Sequence, residues 1–127
     1  MTRLKMPNRR DCITQRIVID GKKIYLSVGF KDDLNLEVGE IFLTVQKTGA
    51  QERALYDEIA RGASKRLQLG ESLESVAEGW LGTKLKPCGI VSGDKGIRFC
   101  QGPLDWAGRH LLINFCGRTD LSTIKEA

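Results

Sequence analysis

Four cysteines, one histidine and two short Gly- and Lys-bearing loops are the residues of this chain whose types could do chemistry. Cys12, Cys88, Cys100 and Cys116 are separated by 76, 12 and 16 positions, no C-x-x-C pair occurs, and His110 is the single imidazole. Tetrahedral zinc sites and thioredoxin-like exchange both require closely spaced thiols or thiol and imidazole sets. The expectation is therefore no metal, no cofactor and four thiols in structural roles, behaving as small hydrophobes in reducing surroundings. The sequence also lacks G-x-G-x-x-G, a P-loop, H-E-x-x-H and Gly-x-Ser-x-Gly. One histidine leaves little material for acid-base or nucleophilic work, so the residues argue against an enzyme and no catalytic residue is assigned.

Binding of anions is the chemistry that remains. Gly93-Asp94-Lys95-Gly96 has the composition of a phosphate loop without its spacing or a following helix. Lys47-Thr48-Gly49 precedes the first long helical pattern, where backbone amides could hold an anion with Lys47 adding charge. The simpler reading has Thr48 capping that helix. Residues 1–10 hold Arg3, Lys5, Arg9 and Arg10 and no acid, and the whole chain has 20 basic and 16 acidic residues, so the remainder is balanced. A basic arm on a neutral body could contact the phosphates of a nucleotide or nucleic acid, or be a solvated, frayed terminus. The candidate anion contacts are Arg9, Arg10, Lys47, Thr48, Lys95, Arg98 and Arg118.

These residues need a scaffold, and 127 residues with 41% hydrophobic content suffice for one domain with one core. The expected division is a basic arm over 1–10, one domain over 11–122 and a polar tail over 123–127. Two β-rich runs, Cys12 to Asp20 and Lys22 to Phe30, flank Asp20-Gly21, a hairpin dipeptide. A two-residue loop pairs positions summing to 41, placing Ile13, Ile17 and Ile19 opposite Val28, Ile24 and Lys22 on one face, with Leu26 and Phe30. After a polar excursion over Lys31 to Gly39, Ile41, Leu43 and Val45 alternate with Glu40, Phe42, Thr44 and Gln46 as a third strand.

Helices then follow. Leu55, Ile59, Ala63 and Leu67 recur every four residues within Gln51 to Leu69, with Asp57, Arg61 and Lys65 on another face at ion-pair spacing. Gly70 stops this helix, and Ser72 caps a shorter one carrying Leu73, Val76, Ala77, Trp80 and Leu81. Gly82 to Gly96 reads as a loop and Ile97 to Cys100 as a short apolar stretch. Pro103 opens a last helix with Leu104, Ala107, Leu111 and Phe115 as its stripe, ended by Gly117, before a peripheral polar tail from Arg118. The predicted fold class is α+β: a small antiparallel sheet of three or more strands, packed on one face by one long and one or two shorter helices. No apolar run is long enough for a transmembrane helix and the first ten residues contain no signal-peptide pattern, so a cytoplasmic, non-membrane protein is expected.

Several blocks occur in an order that resembles one family: Met6-Pro7-Asn8-Arg9-Arg10; Gly39-Glu40-Ile41-Phe42-Leu43 before Lys47-Thr48-Gly49-Ala50; Leu67-Gln68-Leu69-Gly70; Leu104-Asp105-Trp106 to Arg109; and Gly117-Arg118-Thr119-Asp120-Leu121. Together, over residues 6 to 122, they look like the TSCPD domain, which lies near the C-terminal end of many adenosylcobalamin-dependent class II ribonucleotide reductases and also occurs as a stand-alone protein. Where that family's name motif reads Thr-Ser-Cys-Pro-Asp, this chain has Gln101-Gly102-Pro103-Leu104-Asp105, keeping the aspartate alone in place. Asp105 has a structural reading as a first-turn acid, favourable to the helix dipole and four residues before Arg109 for an ion pair.

The resemblance implies a non-catalytic binding module, since the reductase's radical chemistry belongs to a separate catalytic barrel. Its expected partners are a phosphate-bearing nucleotide or a protein. The alternatives are a nucleic-acid-binding or partner-inhibiting protein of a mobile element acting through Arg3 to Arg10, and a subunit completing a split reductase catalytic chain in trans. A homodimer is also expected, because small sheets leave edges that need cover.

Overall fold

The computed structural model describes residues 2–32 and 37–123, so residues 33–36 of the predicted excursion and 124–127 of the predicted tail lie outside the described residues. Strands β1 (Cys12–Ile19) and β2 (Lys22–Phe30) form the expected hairpin, paired from Cys12↔Gly29 to Ile19↔Lys22. Its turn uses the left-handed region at both residues, Asp20 at φ 51° and Gly21 at φ 75°, the geometry that makes Asp-Gly a hairpin signal. Strand β3 (Val38–Val45) begins inside the predicted excursion and pairs with β2 through a register shift at Gly29/Phe30.

Two strands were not legible. The predicted loop over Gly82 to Gly96 contains β4 (Gly89–Ser92), and the apolar stretch after it contains β5 (Phe99–Cys100). The sheet is five-stranded and antiparallel in the order β3-β2-β1-β4-β5. Strand β4 depends on partners distant in the chain, Val18↔Ser92 and Ile19↔Val91, β5 pairs only with β4, and runs so short have no periodicity to read.

Helices α1 (Ala50–Gln68), α2 (Leu73–Glu78) and α3 (Pro103–Phe115) complete the fold, with a 3-10 turn at Thr119–Leu121. Helix α1 lies against β3 and covers its outer edge. Ser64 Oγ accepts the Ile41 amide at 2.8 Å and has the Ile41 and Ala60 carbonyls at 3.1 and 2.9 Å, one of which takes its proton. Gln68 Nε2 donates to the Gly39 carbonyl at 2.9 Å. Strand backbone that would otherwise template another chain is thus occupied.

The α1 stripe is rotated from the expected one. Leu55 is 58% exposed, while Tyr56 and Ala60 are buried with Ala63 and Leu67. A four-residue step overshoots one 3.6-residue turn by about 40°, so three steps carry Leu55 roughly 120° away from Leu67. On the outer face Arg61 pairs with Glu58.

Helix α2 starts at Ser72, whose side chain accepts the Ser75 amide, and α3 has Pro103 in its first turn, both as expected. The α3 contribution to the core extends beyond the expected stripe to Trp106 and Leu112, both fully buried. Full burial of such side chains stabilises by about 1.5–3 kcal/mol each. Helices α2 and α3 approach closely at Gly108, where a Cβ would lie 2.6 Å from the Ala77 carbonyl oxygen. Among the described residues no helix is long and apolar enough to cross a membrane.

The expected frayed arm and peripheral tail are both corrected. The Leu4 amide donates to the Gln68 carbonyl at 2.8 Å and Arg3 Nε donates to Gln68 Oε1 at 2.6 Å, so the arm runs against the end of α1. The tail crosses back to the β4–β5 hairpin: Ser122 Oγ and the Thr123 amide donate to the Gly96 carbonyl at 2.7 and 3.0 Å, and the Arg98 amide donates to Thr123 Oγ1 at 2.7 Å. These backbone partners are non-local, which composition does not reveal.

Candidate functional site

The β4–β5 hairpin is the part of the molecule whose exposed side chains lack an obvious structural purpose. Ile90 and Phe99 are direct cross-strand partners, so their side chains leave the same face, and they are 80% and 60% exposed. Their neighbours in the register, Val91 and Cys100, point inward and are buried. The hairpin is held rigidly. Asp94, in its loop, accepts from Trp106 Nε1 at 2.9 Å and from His110 Nδ1 at 2.8 Å through Oδ2, and from the Gly96 amide at 2.9 Å through Oδ1. Trp106 and His110 are four apart on α3 and therefore share a face. The Asp94 side chain is 6% exposed. Burial alone would raise its pKa, but the hydrogen bonds from His110, Trp106 and Gly96 outweigh it and hold the carboxyl below its ordinary range.

A second buried carboxylate supports the same region. Asp105 is 1% exposed; its Oδ1 accepts the Gly82 amide at 2.8 Å and its Oδ2 the Gln101 amide at 2.9 Å. The expected ion pair with Arg109 is present but long, 3.4 Å. Arg109 also donates through a terminal nitrogen to the Leu121 carbonyl at 2.9 Å, and its Nε is buried with no partner among the described residues. Asp105 therefore ties the 82 turn to the approach to α3 rather than capping helix amides. Gly102 allows this closeness, since a Cβ there would meet the Leu85 carbonyl oxygen at 2.8 Å.

Two hollows flank β5. An open groove of about 650 Å³ is lined by Lys84, Leu85, Lys86, Cys88, Gly89, Cys100 and Gln101, and Leu85 is exposed in it. On the other side a hollow of about 290 Å³ includes Phe99, Arg109 and Thr123. Cys100 is buried and its thiol is pushed up to about 11 by burial, so it is a protonated, inert side chain at neutral pH. Burial likewise raises Cys116. Cys12 and Cys88 are exposed. Among the described residues no three metal-ligating side chains are grouped.

The predicted anion contacts do not converge. Arg9 is exposed on the arm. Arg10 forms a two-pronged pair with Glu40, 2.6 and 2.7 Å. Lys47 is exposed at φ 60° before α1; the N-cap is Gly49, and Thr48 Oγ1 instead donates to the Val45 carbonyl at 2.9 Å, correcting the capping role. Arg118 is bound by Asp120, Glu74 and Glu78 at 3.0–3.1 Å, and these partners raise its pKa. Of the set, Lys95 and Arg98 lie together on the β4–β5 hairpin, both exposed. The residues missed from sequence are Leu85, Ile90 and Phe99. The signal that could have revealed them is the Ile90-Val91 pair between Gly89 and Gly93, an apolar dipeptide inside a run otherwise read as loop.

Comparison with known proteins gives one consistent relation. The chain is 38% identical over 123 residues to a vitamin B12-dependent ribonucleotide reductase of Agrobacterium fabrum, covering 96% of this chain and 9% of that protein. It is 36% identical to the enzyme of the same name from Bradyrhizobium diazoefficiens and 31% identical to that from Rhodopirellula baltica, covering 10% and 12% of their lengths. The chain thus spans about a tenth of the curated relatives it matches, and it is homologous over nearly its whole length to a short segment of them. No family model matches the sequence. No solved structure matches it.

Proposed function

We propose that the chain is a non-catalytic recognition module of the TSCPD type that docks onto a protein, the partner being a ribonucleotide reductase polypeptide. The observation that carries this reading is the exposed cross-strand pair Ile90 and Phe99 on a hairpin pinned by two buried carboxylates, Asp94 and Asp105. A rigid element that leaves two large apolar side chains in water has the character of an interaction site. Homology to a segment of much longer reductases supports a reductase polypeptide as the partner class. The nucleotide version of the reading is weaker. Arg10 and Arg118 are already neutralised by Glu40 and by Glu74, Glu78 and Asp120, and Lys47 is at the start of α1, away from Lys95 and Arg98 on the hairpin.

Native mass spectrometry of the chain with the intact Agrobacterium fabrum reductase tests the proposal, with nucleoside di- and triphosphates as competing ligands. A complex of chain and reductase is the expected result. Retention of a nucleotide by the chain alone, with no reductase complex, would overturn it.

A further inference from the structure

Building on that reading of the chain as a protein-docking module, we infer that the β4–β5 hairpin and the adjoining groove are the docking surface, and that the occupant is an apolar protein surface with an acidic margin. The apolar positions are neighbours along the hairpin. Ile90 and Phe99 form one exposed cross-strand pair, and the next pair, Gly89 and Cys100, borders the groove where Leu85 is exposed.

Charge selects the partner. Between residues 82 and 102 the sequence has four cations, Lys84, Lys86, Lys95 and Arg98, and one acid, Asp94. All four cations are exposed, whereas the Asp94 carboxylate is turned inward onto Trp106, His110 and Gly96. The Asp105 carboxylate is buried against the Gly82 and Gln101 amides, and the register continues from Ile19↔Val91 to the β1–β2 turn, where Asp20 is followed by Lys22 and Lys23. The surface is therefore apolar with a net positive margin, and a complementary partner presents acidic side chains around an apolar centre.

Two other occupants fit less well. A second copy meeting this face across a two-fold axis would set the cations of one copy against those of the other, a repulsive arrangement. Single-stranded nucleic acid would suit the charge, but base stacking needs aromatic platforms. Here Phe99 is accompanied by aliphatic Ile90 and Leu85.

The test titrates fluorescently labelled chain with the intact Agrobacterium fabrum reductase at low and high salt. It compares wild type with the double variants Ile90→Ser with Phe99→Ser and Lys84→Glu with Lys86→Glu. All four positions are exposed, and thermal melting confirms that the variants fold. The apolar double variant should weaken binding by about tenfold or more. The charge-reversed variant should bind more weakly and lose most of the salt dependence. Binding that is equal in wild type and both variants would overturn the surface while leaving the docking reading intact. Absence of wild-type binding would overturn both. Self-association in sedimentation that Ile90→Ser with Phe99→Ser abolishes would assign the face to a second copy. Tighter binding to a single-stranded oligonucleotide than to the reductase would assign it to nucleic acid. Either result overturns the inference.

Discussion

Asp94 concentrates more structural consequence than any residue type or motif around it suggests. Its two oxygens receive an indole N–H, an imidazole nitrogen and a backbone amide, joining the β4–β5 loop to α3. Asp94→Ala leaves those donors facing a dry gap, and a loss of about 2–3 kcal/mol in urea denaturation is expected. The depressed pKa also has a pH signature. A carboxyl held below its ordinary 3.8 stabilises the fold above that value and loses the contribution as pH falls through its folded-state pKa. The stability gap between wild type and Asp94→Ala should therefore be constant near neutrality and narrow below about pH 4. Asp105→Ala removes the acceptor for the Gly82 and Gln101 amides and the neighbour of Arg109, and a loss of about 3 kcal/mol is expected. The position of Asp105 in the first turn of α3 was legible from Pro103. The reach of its side chain to Gly82, 23 residues earlier, was not, because nothing local to either residue encodes it.

Among the elements, legibility followed the range of the interactions that define them. The β1–β2 hairpin carries its own instructions: Asp20-Gly21 supplies the turn and alternation fixes the face, and the register follows from a two-residue loop. Helix α3 was equally readable from Pro103 and its stripe. Strands β4 and β5 exist because β1 offers an edge to β4 and β4 in turn to β5, so a local reading finds a glycine-rich loop there. The α1 stripe was misplaced because a strict four-residue repeat was preferred to the 3.6-residue period, which hid Tyr56 and Ala60. Close packing of α2 on α3 depends on Gly108. Gly108→Ala, though favourable to helix propensity, would push a methyl into the Ala77 carbonyl and Trp80. A net loss of about 1–3 kcal/mol in thermal or urea unfolding is expected, where the opposite sign would indicate that α2 yields freely. On the other flank, Ser64→Ala leaves the Ile41 amide at the β3 edge without its side-chain acceptor, and amide hydrogen exchange at Ile41 should quicken while Val28 and Leu26 stay protected.

At the scale of the whole molecule, one edge of the sheet is closed and the other is presented. Helix α1 satisfies the outer backbone of β3 through Ser64 and Gln68, and the basic arm lies along the end of that helix. The far end of the sheet instead combines exposed Ile90, Phe99 and Leu85 with four exposed cations. Such an asymmetry suits a module that is anchored by one end of its sheet against a larger body, and the homologous segment lies within reductases about ten times longer. The α+β class was readable from the strand and helix patterns, whereas the β4–β5 surface was not, because β4 is defined by its long-range pairing with β1. Hydrogen exchange mass spectrometry of the chain, alone and with the intact Agrobacterium fabrum reductase, tests the account most directly. Slower exchange concentrated in residues 84–100, with the α1 and β3 amides unchanged, is the predicted result. Protection confined to α1 and the arm, or no change anywhere, would contradict it.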